Sequence, residues 1–205
     1  MCYNIVLYAG MYKGSDLVAN GYEADDLKKV NRRALEAAFD WVSAIVVALA
    51  VLVLVMTFMF RVVGVDGESM LPTLHHMDRL VLSYGSADYV PGDIVVVDRY
   101  TDEPLIKRVI AVAGDRISIT DSYSVYVNGE RLEEPYIQGV TIPRDVKDVM
   151  VVPEGCIFVM GDNRTISRDS RMDEIGMISV KDVVGKAVFC IWPPQSFGGV
   201  YDNLK

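Results

Sequence analysis

Residues 41–60 (WVSAIVVALAVLVLVMTFMF) run for twenty residues without a charge, between Asp40 and Arg61. As a helix, at about 1.5 Å per residue, the run reaches about 30 Å, the thickness of a bilayer's hydrocarbon core. A buried helix of that length in a water-soluble domain would normally carry a polar face, and this run has none. It is also too long for a cleaved leader, and no small-x-small pattern follows it. The run therefore predicts one transmembrane helix over 41–60. It divides the chain into an N-terminal segment, 1–40, and a larger part, 61–205.

The basic residues around the span set its expected direction. Lys28, Lys29, Arg32 and Arg33 precede it, whereas only Arg61 and Arg79 follow within the next twenty positions. This four-to-two bias predicts a single-pass protein of the plasma membrane, with residues 1–40 in the cytoplasm and 61–205 on the extracytoplasmic face. Residues 23–40 (EADDLKKVNRRALEAAFD) read as a helix. Acidic residues come first and basic ones follow, as the helix dipole favours, and Leu27, Val30, Ala34, Leu35 and Ala38 recur at helical spacing. Residues 1–22 are mildly apolar, carry Gly10, Gly14 and Gly21, and suggest no function. They read as a poorly ordered start, with Met11 as an alternative initiation point.

The formal net charge of −8 argues against a nucleic-acid partner. Cys2, Cys156 and Cys190 lie far apart, without metal-ligand spacing. An odd count forbids complete pairing within the chain. Two buried thiols and one free thiol near the terminus is one reading, and a Cys156–Cys190 disulfide outside the cytosol is the other. No metal or nucleotide motif is present, so no cofactor is expected.

Beyond residue 60 the texture is mainly β. Residues 93–98 (DIVVVD), 105–113 (LIKRVIAVA), 156–160 and 183–191 are short, apolar and rich in β-branched residues. Turn pairs such as Pro91-Gly92 and Gly114-Asp115 bound them. Residues 124–132 (SVYVNGERL) predict a hairpin around Asn128-Gly129, a preferred tight-turn pair. Residues 138–149 carry mixed charge and read as a surface coil.

Three stretches of this outer part can carry chemistry. Gly67-Glu68-Ser69-Met70-Leu71-Pro72-Thr73-Leu74 places a serine on a tight turn, from which a hydroxyl can face a substrate. Serine is a poor nucleophile until a base takes its proton. His75 and His76 follow too closely to fold back onto Ser69 and read as turn or surface residues. Lysine is the alternative base, provided that burial lowers its pKa enough to leave it neutral. Lys107 is embedded in an apolar strand, where alternation groups it with Leu105, Val109 and Ala111. On the strand alone, Lys107-Arg108 reads equally well as a charged rung at a sheet edge. The third stretch, Gly161-Asp162-Asn163-Arg164 followed by Ser167-Arg168-Asp169-Ser170-Arg171, favours the catalytic reading, because so dense a polar pattern behind a strand is not generic loop composition. Within it, Asp169 and Arg171 can pair, and a serine hydroxyl can hold a lysine amine.

These stretches resemble type I signal peptidase, the membrane-bound Ser-Lys protease family that removes signal peptides. The resemblance is carried by Gly67-x-Ser69-Met70-x-Pro72-Thr73-Leu74, Gly92-Asp93-Ile94-Val95, Lys107-Arg108-Val109-Ile110 with Gly114-Asp115, and residues 161–171. It spans about residues 41–192. It implies a β-rich catalytic core outside the membrane, with Ser69 as nucleophile, Lys107 as general base and Ser167 as the hydroxyl that orients the lysine. Asp169 and Arg171 would be structural supports, and Met70 and Leu71 would bind substrate. The implied partners are the signal peptides of exported preproteins, cleaved after Ala-x-Ala-like sites, and membrane lipid.

Some family members carry a serine two residues before the nucleophile, where this chain has Gly67; backbone N–H groups, chiefly that of Ser69, would then bind the oxyanion. A single span and a short core resemble the compact Gram-positive type. The competing readings are a Ser-Lys processing protease of a dedicated export or conjugation system, and a non-catalytic tethered β-domain. Apolar residues near the nucleophile, Met70 and Leu71, together with Trp192, are expected to be exposed beside the bilayer. The alternative for Trp192 is a cap on the core.

Overall fold

The computed structural model describes residues 24–84, 88–98 and 103–201; residues 1–22, including Cys2 and Met11, lie outside these. The chain divides into two units, Met1–Leu54 and Val55–Lys205. Helix α1 (Ala24–Met59) is continuous and joins the two helical stretches expected from sequence, because neither Gly nor Pro interrupts it. Its apolar portion, Leu35–Met59, has mean hydropathy 2.9, is long enough to cross a membrane, and buries none of its window against protein. The expected span over 41–60 ends one residue early, since Phe60 already belongs to the first strand.

The described residues of the second unit form twelve strands. They are β1 (Phe60–Gly64), β2 (Arg79–Ser83), β3 (Ile94–Val97), β4 (Leu105–Val112), β5 (Arg116–Ile119), β6 (Val125–Val127), β7 (Glu130–Arg131), β8 (Met150–Val151), β9 (Cys156–Met160), β10 (Ile178–Ser179), β11 (Val183–Trp192) and β12 (Gly198–Gly199). One sheet runs in the order β1-β2-β11-β3-β4-β9-β10, with β12 also on β11; a smaller sheet runs β7-β6-β5-β8. The strands expected from sequence recur nearly residue for residue. The Asn128-Gly129 hairpin forms with positive φ at both turn residues, as that pair favours.

The centre of the large sheet is covered on both faces, so successive residues of its strands are buried instead of alternating, and β4 buries Lys107 and Arg108 among apolar neighbours. All four residues of β3 are buried. Ile94 and Val96 enter one core with Val65, Met70, Leu74, Leu80 and Leu82. Val95 and Val97 enter another with Val109, Ile157, Val159 and Ile178. A third core, around Ile110, Ile117, Val125 and Phe158, joins the small sheet to the end of β4.

β4 is an inner strand, paired with β3 on one side and β9 on the other, which removes the edge-rung alternative for Lys107-Arg108. Two expectations are corrected here. The coil over 138–149 is only partly a surface feature, because Thr141 and Val146 are buried. Met70 is 1% exposed and packs into the first core, since the serine turn folds inward onto β2 and β3. Trp192, by contrast, is 54% exposed at the end of β11, with Phe197 also exposed nearby in sequence, so it does not cap the core. Cys156 and Cys190 are both free thiols.

Candidate active site

Ser69 lies on the irregular turn after β1. Gly67, at φ +86°, supplies the left-handed backbone angle with which the turn begins. Its N–H donates to His76 Nδ1 at 3.3 Å, and His76 also meets Asp66, so this histidine fixes the turn and does not face Ser69. From the middle of β4, Lys107 Nζ donates to Ser69 Oγ at 2.9 Å and to the Ile106 carbonyl at 2.8 Å. Lys107 is 2% exposed. Its burial pulls the amine pKa down to about 8, against the opposing pull of Asp169 and Asp162, which favour the charged form.

The run at 161–171 follows β9 and closes over this pair. Asn163 ties it to the serine turn: its backbone N–H donates to Ser69 O at 3.0 Å and its side-chain amide to Glu68 O at 3.2 Å. Gly161 is required by space. A Cβ there would fall 2.3 Å from Ser167 Oγ and 2.5 Å from Ser69 O, far inside contact distance. Ser167 is fully buried, and among the described residues its hydroxyl makes no hydrogen bond of ordinary geometry, to Lys107 or to another group.

Charges in this loop are paired in the interior. Arg171 grips Asp169 through Nε (2.8 Å) and Nη2 (2.9 Å), and also donates to the carbonyls of Arg164 and Ile142. Burial alone would raise the Asp169 pKa. The hydrogen bonds and charge of Arg171, helped by the nearby Ser167 hydroxyl and the Gly161 N–H, outweigh it and hold the carboxyl below its usual range. Arg108, beside the lysine on β4, holds Asp162 through Nε (2.8 Å) and Nη2 (2.6 Å), and Thr73 Oγ1 donates to the same carboxylate at 2.5 Å. Arg164 is buried against Glu134 and also donates to Thr141 Oγ1 at 2.8 Å. The removal of either partner from such pairs leaves an uncompensated buried charge, which costs roughly 3–5 kcal/mol.

Of the residues singled out from sequence, Ser69 and Lys107 meet directly. Ser167, Asp169 and Arg171 lie in the loop behind them. Leu71 is half-buried and Met70 is a core residue. Sequence reasoning missed Arg108, Asp162, Arg164 and Glu134 as pairs. The available signal was an arginine inside an apolar strand, which needs a buried carboxylate.

Ser69 and Lys107 open onto a cleft of about 760 Å³, which β1 residues 61–64 and β4 residues 105–107 also line. A buried amine of lowered pKa on a serine hydroxyl, at the floor of a cleft, can perform acyl transfer without histidine.

Comparisons with known proteins give the family. Residues 38–192 match the family described as signal peptidase, peptidase S26. The chain is 38% identical to signal peptidase I of Bacillus licheniformis over 182 residues, which cover 81% of this chain and 94% of that protein. It is 34% identical to signal peptidase IB of Staphylococcus aureus over 177 residues, covering 77% and 91% respectively. A crystal structure of a signal peptidase I from Enterococcus faecalis V583 is 25% identical with a TM-score of 0.40, covering 48% of this chain and 96% of that one. With matches of this extent, the chain belongs to the signal peptidase family of serine peptidases, peptidase S26.

Proposed function

We propose that this protein is a membrane-anchored endopeptidase that removes N-terminal signal peptides from exported preproteins through a Ser69–Lys107 dyad. The observation that carries this reading is the 2.9 Å contact between a buried lysine amine and a serine hydroxyl at the base of an open cleft. Neutral Lys107 accepts the Ser69 proton as Oγ attacks the scissile carbonyl. The developing oxyanion is stabilised by backbone N–H groups of the serine turn, chiefly that of Ser69, since Gly67 offers no hydroxyl. Lysinium returns the proton to the leaving amine, the peptide bond breaks, and the mature protein departs. A water that gives its proton to Lys107 then attacks the acyl ester; Lys107 passes that proton to Ser69 Oγ as the ester bond breaks, and the signal peptide leaves with a new carboxyl group. The buried Ser167 hydroxyl, which the Gly161 backbone and Asp169 flank, supports a role in holding the amine when the acyl group occupies Ser69 Oγ.

The substrate peptide is extended along β1, the end strand of the large sheet, which lines the cleft. The cleavage rule is a small residue on each side of an arbitrary one, as in Ala-x-Ala sites. Residues 1–40 face the cytoplasm and 61–205 the extracytoplasmic side, beside the membrane where such sites emerge. The basic bias around α1 supports this orientation.

The test is cleavage of a labelled preprotein by the detergent-solubilised full chain, wild type beside Ser69→Ala. Wild type should release the mature protein and Ser69→Ala should not. Equal cleavage by both, or none by either, would refute the reading. Protease added to cells stripped of their wall should degrade residues 61–205 and spare the N-terminus; the reverse pattern would overturn the orientation.

A further inference from the structure

Residues 134–142 cross the back of the catalytic loop, and nothing in the chemistry above uses them. Their contacts with it are specific. Gln138 pairs in parallel with Asn163: its N–H donates to Asp162 O at 2.8 Å, and its carbonyl accepts from Arg164 N at 2.9 Å. The Glu134 carboxylate takes both terminal nitrogens of Arg164, whose Nε in turn donates to Gly161 O at 3.0 Å. Two residues on, the Tyr136 ring lies under the Arg108 guanidinium, 4.0 Å from CZ to the ring centroid. The Tyr136 hydroxyl reaches Glu134 Oε1 at a long 3.4 Å.

Each contact is one step from the dyad. Arg108 is the chain neighbour of Lys107 on β4. Asn163, flanked by the two residues that Gln138 bonds, holds the carbonyls of Glu68 and Ser69. One short segment thus braces the lysine side through Arg108 and the serine side through Arg164 and Asn163. We infer that Glu134 and Tyr136 are positioning residues, which keep Ser69 Oγ and Lys107 Nζ in register for proton transfer without touching either. The inference rests on the peptidase reading above. Its energetics are those of buried cations: Arg164 needs the Glu134 charge, and the buried Arg108 guanidinium gains from the Tyr136 ring on its face. If either support is lost, its arginine moves to find another, and the group it fixes moves with it. A displacement of about 1 Å in such a pair can cost on the order of 10²-fold in rate.

The experiment compares Glu134→Gln, Tyr136→Leu and Tyr136→Phe with wild type and Ser69→Ala, as full-length solubilised chains cleaving a preprotein with an Ala-x-Ala site. Rates are taken per folded molecule, below each variant's thermal midpoint. Glu134→Gln, isosteric but uncharged, and Tyr136→Leu, without the ring, should each lower kcat by about tenfold or more at nearly unchanged KM. Tyr136→Phe keeps the ring and loses only the long hydroxyl contact, so it should stay within about fivefold of wild type. Glu134→Gln alone decides the matter if Tyr136→Leu does not fold. Wild-type kcat in folded Glu134→Gln would overturn the inference, as would a loss confined to KM or a Phe variant as impaired as Leu. Wild-type protein with no Ser69-dependent cleavage would instead overturn the peptidase reading, and this inference with it.

Discussion

The rate of the proposed reaction should follow the protonation of Lys107. Its pKa of about 8 leaves roughly one molecule in ten with a neutral base at pH 7, where an ordinary lysine at 10.5 would leave about three in ten thousand. Burial therefore supplies a gain of a few hundred-fold in competent enzyme at neutral pH, equivalent to roughly 3 kcal/mol. Only the deprotonated amine accepts the Ser69 proton, so kcat/KM should rise about tenfold per pH unit up to about pH 8 and level off above it. The assay is initial-rate cleavage of a labelled preprotein at low substrate concentration between pH 5.5 and 10. The detergent and ionic strength are held fixed, and folding is checked by circular dichroism at each pH. A flat profile through this range, or a limb still rising tenfold per unit at pH 10, would refute the assignment of a buried lysine as the base.

The same burial has a stability cost. The folded pKa of Lys107 lies below the unfolded one, so the unfolded chain holds more protons between about pH 8 and 10.5, and stability rises with pH across that window. Lys107→Met should therefore be inactive yet more stable than wild type at pH 7 in denaturant titrations, by up to about 3 kcal/mol, with the gain fading by pH 10. Gly161→Ala would drive a methyl into Ser167 Oγ and Ser69 O; activity should fall by about 100-fold or more, with a stability loss of roughly 1–3 kcal/mol. Ser167→Ala should lower the kcat of preprotein cleavage less than Ser69→Ala does, since the proposed role of Ser167 is to orient the base and not to attack. Trp192 is exposed, so its fluorescence, measured with Trp41 replaced by Phe in a chain lacking the anchor, should shift to the blue when lipid vesicles are added. An unchanged spectrum would detach this residue from the membrane.

Much of the fold was legible in sequence because its signals are local. The apolar run, the β-branched segments and the Asn128-Gly129 turn each specify their own backbone. The approach of Lys107 to Ser69 was foreshadowed by a lysine in a largely apolar strand together with the dense polar run at 161–171, since the strand alone left a charged rung equally open. What was not legible depends on which residues meet across long stretches of chain. Whether Lys107-Arg108 stood at an edge or at the centre depended on strand order, and β9 joins β4 from about fifty residues away in the chain. Met70 was assigned to the surface because it adjoins the nucleophile. The turn instead points alternate side chains to opposite sides, and Met70 fills the core beneath β2 and β3. The pairs Arg108–Asp162 and Arg164–Glu134 span 54 and 30 positions, so only the tertiary fold could name each arginine's partner. A single continuous helix replaced two expected stretches because a change in composition at Asp40 carries no backbone signal to end a helix.

The central claim is that Lys107 acts as a base, and Lys107→Arg tests it most directly. Arginine keeps the length and the positive charge but stays protonated throughout the working range, so it cannot accept the serine proton. Cleavage of a labelled preprotein by the folded full-length variant, measured beside wild type and Ser69→Ala, should fall to the Ser69→Ala background at every pH from 6 to 10. Substantial cleavage by a folded Lys107→Arg protein would contradict the account.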